Sequence, residues 1–270
     1  MEKVSLTGAQ ETMLATLWGR AQDSRSADPI LGDHTAVEVV ADLDYDFRKT
    51  GMSPAMAAAV AIRGKLLDGW TREFLAAHPS STVLHLACGM DTRVHRLAPD
   101  AGVRWIDVDQ PDVVDLRTRL LPAPDGDYTL MATSVTADGW IEDLPADRPT
   151  AVVFEGLSMY LRPDDGKRLI QRLTGHFGHG VIMFDSLNRL GLLLQHVIPA
   201  IRNARATLHW SIDDPREPEA WHPGLHLSDA LRTTSLPDVA KLPFPERVGM
   251  RFADHVPYLR DVGRVLRYTF

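Results

Sequence analysis

Eleven residues, Val83-Leu84-His85-Leu86-Ala87-Cys88-Gly89-Met90-Asp91-Thr92-Arg93, constrain the fold of this chain more than any other segment. A short apolar run reaches a tight turn at Gly89, and the chain continues as a polar helix start. An α/β sheet uses such a turn to bring backbone N–H groups and a helix N-terminus to the mouth of a nucleotide-sized site. Twenty residues after Gly89, a second apolar run from Val103 to Val108 ends in Asp109. An acidic residue at the tip of the neighbouring strand is well placed to accept hydrogen bonds from ribose hydroxyls. One glycine alone fits an ordinary βαβ unit equally well, so the surrounding residues decide the reading.

The hydrophobic pattern divides the chain. Residues 1–80 read as a helical extension. Thr7-Gly8-Ala9-Gln10 fits a capping box, and Ala9, Met13, Leu14, Leu17 and Trp18 follow at helical spacing. Ser53-Pro54 predicts an N-cap with proline in the first helical position, opening a helix through Trp70 and Phe74 that Pro79 stops. From residue 82, short β-rich runs alternate with longer segments: 82–87, 103–108, 128–133, 151–155 and 180–185. They are near-continuous apolar runs, as in a parallel sheet covered on both faces. The expected fold is therefore α/β, with a doubly wound, mostly parallel Rossmann-like sheet over residues 81–270. The tail from Arg247 to Phe270 is expected to supply its last strands. Residues 186–245 break the rhythm with an apolar helix, Leu190–Ile201, and a stretch rich in proline, tryptophan and histidine, Pro215–Pro223. They read as a helical cap insertion over the strand ends.

Composition narrows the partners. A net charge of −7 with scattered basic residues supplies no basic face for nucleic acid. The single cysteine, Cys88, excludes an intrachain disulfide and argues against a cysteine metal site, so no metal is expected. Gln195, His196 and Pro199 interrupt the greasiest segment, which is too short to span a bilayer. With no signal-like N-terminus, the expected setting is cytoplasmic, away from membranes.

Ligands of such sheets sit beyond the carboxyl ends of the strands. Polar residues follow each candidate strand there: Asp91, Asp109, Ser134, Glu155 and Asp185. Asp91 could equally cap the next helix. The dinucleotide pattern G-x-G-x-x-G would fall on Ala87, Gly89 and Thr92, so two of three glycines are missing and a pyrophosphate has poor access. A phosphate-binding G-x-x-x-x-G-K-[ST] is absent. What remains suits a cofactor with one ribose and no phosphate.

Ala87 to Arg93 resembles the G-x-G-x-D-T-R signature of a class I methyltransferase branch. That branch joins the leucine carboxyl methyltransferases to the tetracenomycin-type polyketide O-methyltransferases. Arg63 to Asp68 is similar to its R-T-x-x-x-D helix, and Trp105 to Val113 to its E-V-D-x-P-x-V. Ser134 to Trp140 is similar to its post-strand segment ending in tryptophan, and Phe154 to Leu161 to its E-G-x-x-x-Y-L. The resemblance runs in order from residue 9 to residue 185. It implies S-adenosyl-L-methionine as cofactor. Arg63 would hold the methionyl carboxylate, a contact that suits a guanidinium. The backbone at Ala87 and Gly89 would approach the methionyl portion, and Asp109 would take the ribose. Ser134 and Val135 would flank the adenine, and Glu155 would receive the methionyl ammonium. The chain departs from the pattern at Ala87, which replaces the first glycine, and at His85, where many relatives carry an acid or amide.

Methyl transfer from a sulfonium is an in-line displacement, so the protein mainly positions the nucleophile. A carboxylate acceptor needs no base, whereas a hydroxyl benefits from one. Tyr160 and His226 are the substrate-side candidates, with His222 and His255 further histidines of the expected roof. Leu190, Leu193, Leu194, Trp210 and Trp221 could line an apolar pocket there. The expected reaction is O-methylation of a carboxylate or hydroxyl on a small, partly apolar, polyketide-like metabolite. The alternatives are carboxyl methylation of a protein C-terminus and a non-catalytic cofactor-binding protein.

Overall fold

Alternate residues of the central strands enter two separate cores. Val83, Trp105, Val153 and Met183 pack on one face, against Leu67, Trp70 and Phe74. Leu84, Ile106, Val152 and Phe184 pack on the other, against Leu169, Leu173 and Phe177. Each of these side chains removed from water contributes about 1.5–3 kcal/mol, so the period-two pattern of the strands is tied to helices on both faces. This is the arrangement in a computed structural model that describes residues 2–3, 8–242 and 244–270.

The N-terminal part holds β1 (Glu2–Lys3), α1 (Ala9–Ser24), α2 (His34–Asp42), β2 (Leu43–Asp44) and α3 (Pro54–Ala77). Next come β3 (Thr82–Leu86), α4 (Arg93–Leu97), β4 (Arg104–Asp109), α5 (Pro111–Leu120), β5 (Asp127–Ala132), β6 (Thr150–Phe154), α6 (Pro163–His176) and β7 (Gly180–Leu187). The chain ends with α7 (Arg189–Leu193), α8 (Pro199–Asn203), β8 (His226–Arg232), α9 (Phe244–His255) and β9 (Gly263–Thr269). Seven strands form one sheet in the order β5-β4-β3-β6-β7-β9-β8. The strands from β3 to β7 run parallel, and β9 is antiparallel to both neighbours. The order reverses between β3 and β6, which is the switch point where such sheets bind ligands. Among the described residues, no helix is long and apolar enough to cross a membrane.

Three local expectations change. Ser53 caps α3 as expected, its Oγ accepting from the Met56 N–H at 3.2 Å. The capping box at α1, however, falls on Thr7, which lies outside the described residues, and the observed N-cap is Gly8. The apolar helix expected over Leu190–Ile201 is two short helices with a 3₁₀ turn between them. Pro199 causes the break, because it lacks an N–H and restricts the residue before it, so it opens α8 instead. Residues 226–232, expected within the cap, form the edge strand β8 beside β9.

A buried ion-pair cluster fastens the N-terminal helices to the sheet. Arg93, fully buried, donates to Asp68 of α3 at 2.8 Å and to Glu155 after β6 at 2.8 Å. Arg96 joins Asp33, Asp68 and Asp91 at 2.8, 2.8 and 3.0 Å. Arg20 of α1 reaches Asp91 at 3.0 Å. Asp91 is therefore committed to arginines, and the N-cap of α4 is Thr92, with no side-chain cap. Beneath the loop, Asp107 joins His85 at 3.0 Å and Arg117 at 2.7 Å, while Arg117 donates to the carbonyls of Gly89 and Asp91.

Burial would raise the Glu155 carboxyl, but the guanidinium groups of Arg20, Arg63 and Arg93 outweigh it and hold it at about 2. Arg117 and His85 hold Asp107 at about 2 against the same penalty. Both folded values lie below the ordinary 4.5 and 3.8. Their stabilisation is therefore complete above those values and is lost as pH falls toward about 2. Urea denaturation across this acid range should show a steadily falling midpoint, and a flat profile would contradict the ion-pair arrangement.

Candidate active site

A cavity of about 560 Å³ opens at the carboxyl ends of β3, β4, β5 and β6. Its floor is the loop after β3. Ala87 and Gly89 both have positive φ, at 48° and 49°, so the loop turns sharply twice and leads into α4. A side chain at Gly89 would meet Met13 of α1 at 3.3–3.4 Å, so glycine also lets α1 close over the loop. Ala87 takes a left-handed conformation that costs a residue with a Cβ about 1–2 kcal/mol.

Asp109, at the last position of β4, accepts from the Gly89 N–H and the Gln110 N–H, both at 2.7 Å. Burial raises its pKa, opposed by those two donors. Each oxygen carries one such bond and keeps further lone-pair capacity toward the cavity. Ser134 and Val135 follow β5, the Ser134 hydroxyl lying 2.9 Å from Thr136 Oγ1.

At the opposite wall, Arg63 of α3 donates from Nε to Glu155 at 3.0 Å, and its Nη1 lies 3.0 Å from Asp185 of β7. Asp185 has its pKa raised by burial, against the pull of Arg63. Glu155 lies between Arg63, Arg93 and Arg20, the last at 3.4 Å.

The residues expected at a cofactor, Arg63, Ala87, Gly89, Asp109, Ser134, Val135 and Glu155, all line this one cavity. Tyr160 lines it too, its hydroxyl donating to Thr12 Oγ1 at 3.0 Å, and burial raises its pKa. His226 does not. It is exposed at the start of β8, paired with Thr269 and across β9 from Val181, at the amino end of the parallel strands. This end is opposite the cavity because β8, separated from β7 by β9, runs in the same direction as β7 and starts at His226. His222 and His255 are also elsewhere, bonded to Gly224 N–H and beside the Arg251 carbonyl.

The roof differs from expectation as well. Leu193 and Leu194 are exposed, and Trp210 packs with Trp221 in the core beside α6. Ile198, Ile201, Leu208 and His209 line the cavity instead, with Met52 just before α3 and Met56 in its first turn. Reasoning from sequence missed Arg20, Thr12 and His209. Arg20 had one available signal: it lies on the inward face of α1, at helical spacing from Met13 and Thr16. His209 had none, since its loop carries no period.

The leucine carboxyl methyltransferase family matches residues 13–174. The chain is 41% identical over 272 residues to the tetracenomycin polyketide synthesis O-methyltransferase TcmP of Streptomyces glaucescens, covering 100% of this chain and 99% of that one. It is 38% identical over 260 residues to the S-adenosyl-L-methionine-dependent methyltransferase dpfgK of Gibberella zeae, covering 89% and 87%. In fold, it matches a methyltransferase candidate of Thermobifida fusca with a TM-score of 0.59 at 20% identity, covering 93% of each chain. The chain belongs to the leucine carboxyl methyltransferase family and is an S-adenosyl-L-methionine-dependent methyltransferase.

Proposed function

We propose that this enzyme O-methylates a small, partly apolar acceptor with a carboxylate or hydroxyl, of the polyketide-like aromatic class that the TcmP relative's name indicates. The observation that carries the reading is the division of one cavity into two chemistries. Arg63, Asp109 and Glu155 supply its charged and hydrogen-bonding lining, and Met52, Met56, Ile198, Ile201 and Leu208 its apolar lining. A cavity of about 560 Å³ falls in the size range of small-molecule sites.

The residues present fit the cofactor. Arg63 Nη2 makes no hydrogen bond among the described residues, so the guanidinium has a donor left for a carboxylate. Asp109 is fixed by two backbone N–H groups with its remaining lone pairs available to a diol. Glu155, held ionised by its arginines, offers negative charge to an ammonium group. Val135 and Leu157 supply apolar walls near Ser134 for a purine. S-adenosyl-L-methionine supplies an electrophilic methyl group on a sulfonium.

The protein's own part is orientation and water exclusion. α1 and the 198–209 segment cover the cavity, and the apolar end aligns an acceptor oxygen for in-line attack. A carboxylate arrives ionised. A phenol must lose a proton, and the His209 imidazole at the cavity wall is the group assigned to take it.

Isothermal calorimetry with S-adenosyl-homocysteine tests the charged end. Arg63→Ala and Asp109→Asn should each weaken binding about 10- to 100-fold, the loss of charge-assisted hydrogen bonds. Unchanged affinity in both would remove the assignment. Replacing Ala87 with glycine should be neutral or stabilising by up to about 1 kcal/mol, as relief of the left-handed strain offsets added chain entropy. A thermal melt showing a clear loss would mean that the methyl group is a packing element.

Methyl-labelled cofactor with a panel of aromatic acids, phenols and a free C-terminal peptide tests the acceptor. Label should enter an aromatic acid or phenol and not the peptide. His209→Gln should slow phenol labelling about 100-fold or more while sparing acids. Labelling of the peptide alone would overturn the proposal.

A further inference from the structure

A second cavity, of about 350 Å³, adjoins the first. It opens between α1, the 3₁₀ turn Phe47–Thr50 and α8, and its lining includes Glu11, Tyr45, Lys49, Asn203 and Ala204. Ala15 of α1 and Ala200 of α8 line both cavities, so the two spaces meet at a pair of methyl groups.

Slack packing does not account for this space. The Asn203 amide donates to the Lys49 carbonyl at 2.8 Å, which ties α8 to the 3₁₀ turn. A Cβ on Gly51 would stand 2.6 Å from Pro199 Cβ, so the backbone after that turn is already pressed against the start of α8. Protein interiors close gaps larger than a water wherever side chains can reach. Here the helices are pinned, and the gap stays open because they present alanines to it.

The walls of the second cavity hold one acceptor and one donor that the fold leaves unused. The Tyr45 hydroxyl donates to Glu11 Oε1 at 2.8 Å, and burial together with the Glu11 charge raises its pKa, so it stays a donor. An edge contact with Phe47, centroids 5.2 Å apart, fixes the same ring. Among the described residues, Glu11 Oε2 makes no hydrogen bond, and the Lys49 ammonium makes neither a hydrogen bond nor an ion pair. A carboxylate and an ammonium on one small cavity suit a group that donates and accepts at once. A hydroxyl does both, whereas an anion would be repelled by Glu11.

Resting on the acceptor reading above, we propose that the second cavity is an outer subsite for an extended, multi-ring acceptor. Lys49 and Glu11 recognise a hydroxyl at its far end, and Ala15 and Ala200 form the passage between the two spaces. Volume supports this division. Sites of about 300–1,000 Å³ ordinarily take one small molecule, and here about 560 Å³ must take cofactor and acceptor together. An acceptor longer than one ring therefore extends past the alanines.

The test follows label from methyl-labelled cofactor into benzoic, naphthoic and anthracene carboxylic acids and the matching phenols, using the whole chain. Each is offered with hydrogen, hydroxyl or methoxyl at the end remote from the accepting oxygen. The remote hydroxyl should raise kcat/KM about 3- to 10-fold for the larger acceptors and leave single-ring ones within about twofold. Methoxyl, which cannot donate to Glu11, should lose that gain. Lys49→Met should abolish the gain without moving single-ring rates. Ala200→Leu should lower the rate of the largest acceptors about 10-fold or more relative to single rings.

A hydroxyl effect that is the same at every ring size, or larger acceptors untouched by both variants, would overturn the subsite. Should Ala200→Leu fail to fold, Lys49→Met at its exposed position decides alone. Labelling of single-ring acceptors and of nothing larger would end this proposal and leave the proposed function standing. A wild type that labels no acid or phenol would sink that function, and the subsite with it.

Discussion

Everything at the cavity's charged end depends on arginines and carboxylates held together away from water. Buried ions lose hydration worth several kcal/mol each, and only close, well-directed partners restore it. Here the partners come from different parts of the chain: Arg20 from α1, Asp33 from the start of α2, Asp68 and Arg63 from α3, Asp91 from the loop after β3, Arg93 from the start of α4, Glu155 from the loop after β6. Removing one partner strands another, at a cost of about 3–5 kcal/mol. The cluster therefore specifies one docking of the helices on the sheet more sharply than apolar packing would. It also leaves the cavity wall preorganised, so a charged ligand meets fixed dipoles and charges.

That arrangement explains why the loop after β3 tolerates alanine where the related pattern has glycine. The loop is gripped from beneath by Arg117, from the side by Asp109, and from above by Arg20 and Arg96 on Asp91. With that many hydrogen bonds, the left-handed turn at Ala87 can be held despite its strain. Gly89 has less freedom, because a Cβ there would lie 3.3 Å from the Met13 sulfur, so Met13 would have to shift in addition to the left-handed strain. The two positions look alike in a motif and differ in what surrounds them.

The legible parts of the chain were those encoded by near neighbours. Apolar runs of five or six residues located β3 to β7 within a residue or two; in β3, β4, β6 and β7 both faces are largely buried and alternation is masked by continuous hydrophobicity, whereas β5 is a half-exposed edge strand. Proline and serine placed the start of α3 for local steric reasons. The charged end of the cavity was legible because strand ends place their next residues at one edge of the sheet. β8 was not: His226-Leu227-Ser228-Asp229-Ala230-Leu231-Arg232 is a half-exposed edge strand with a bulge, and its period is broken. The long-range pairs were also hidden. Arg20 and Glu155 are 135 residues apart, and no local rule pairs them.

The apolar end shows the same limit from the other side. Its lining comes from the start of α3, from α8 and from Leu208, three segments joined only by tertiary packing. Leu193 and Val197 have the stronger hydrophobic pattern and remain exposed, whereas Ala200 and Ile201, after Pro199, turn inward. The proline sets that direction by ending one helical stretch and opening another at a new angle. A cofactor end built on regular strand tips, where geometry repeats, can stay constant while an irregular roof changes shape. On the proposed assignment of the two linings, this division would let the fold take different acceptors above constant methyl-donor contacts.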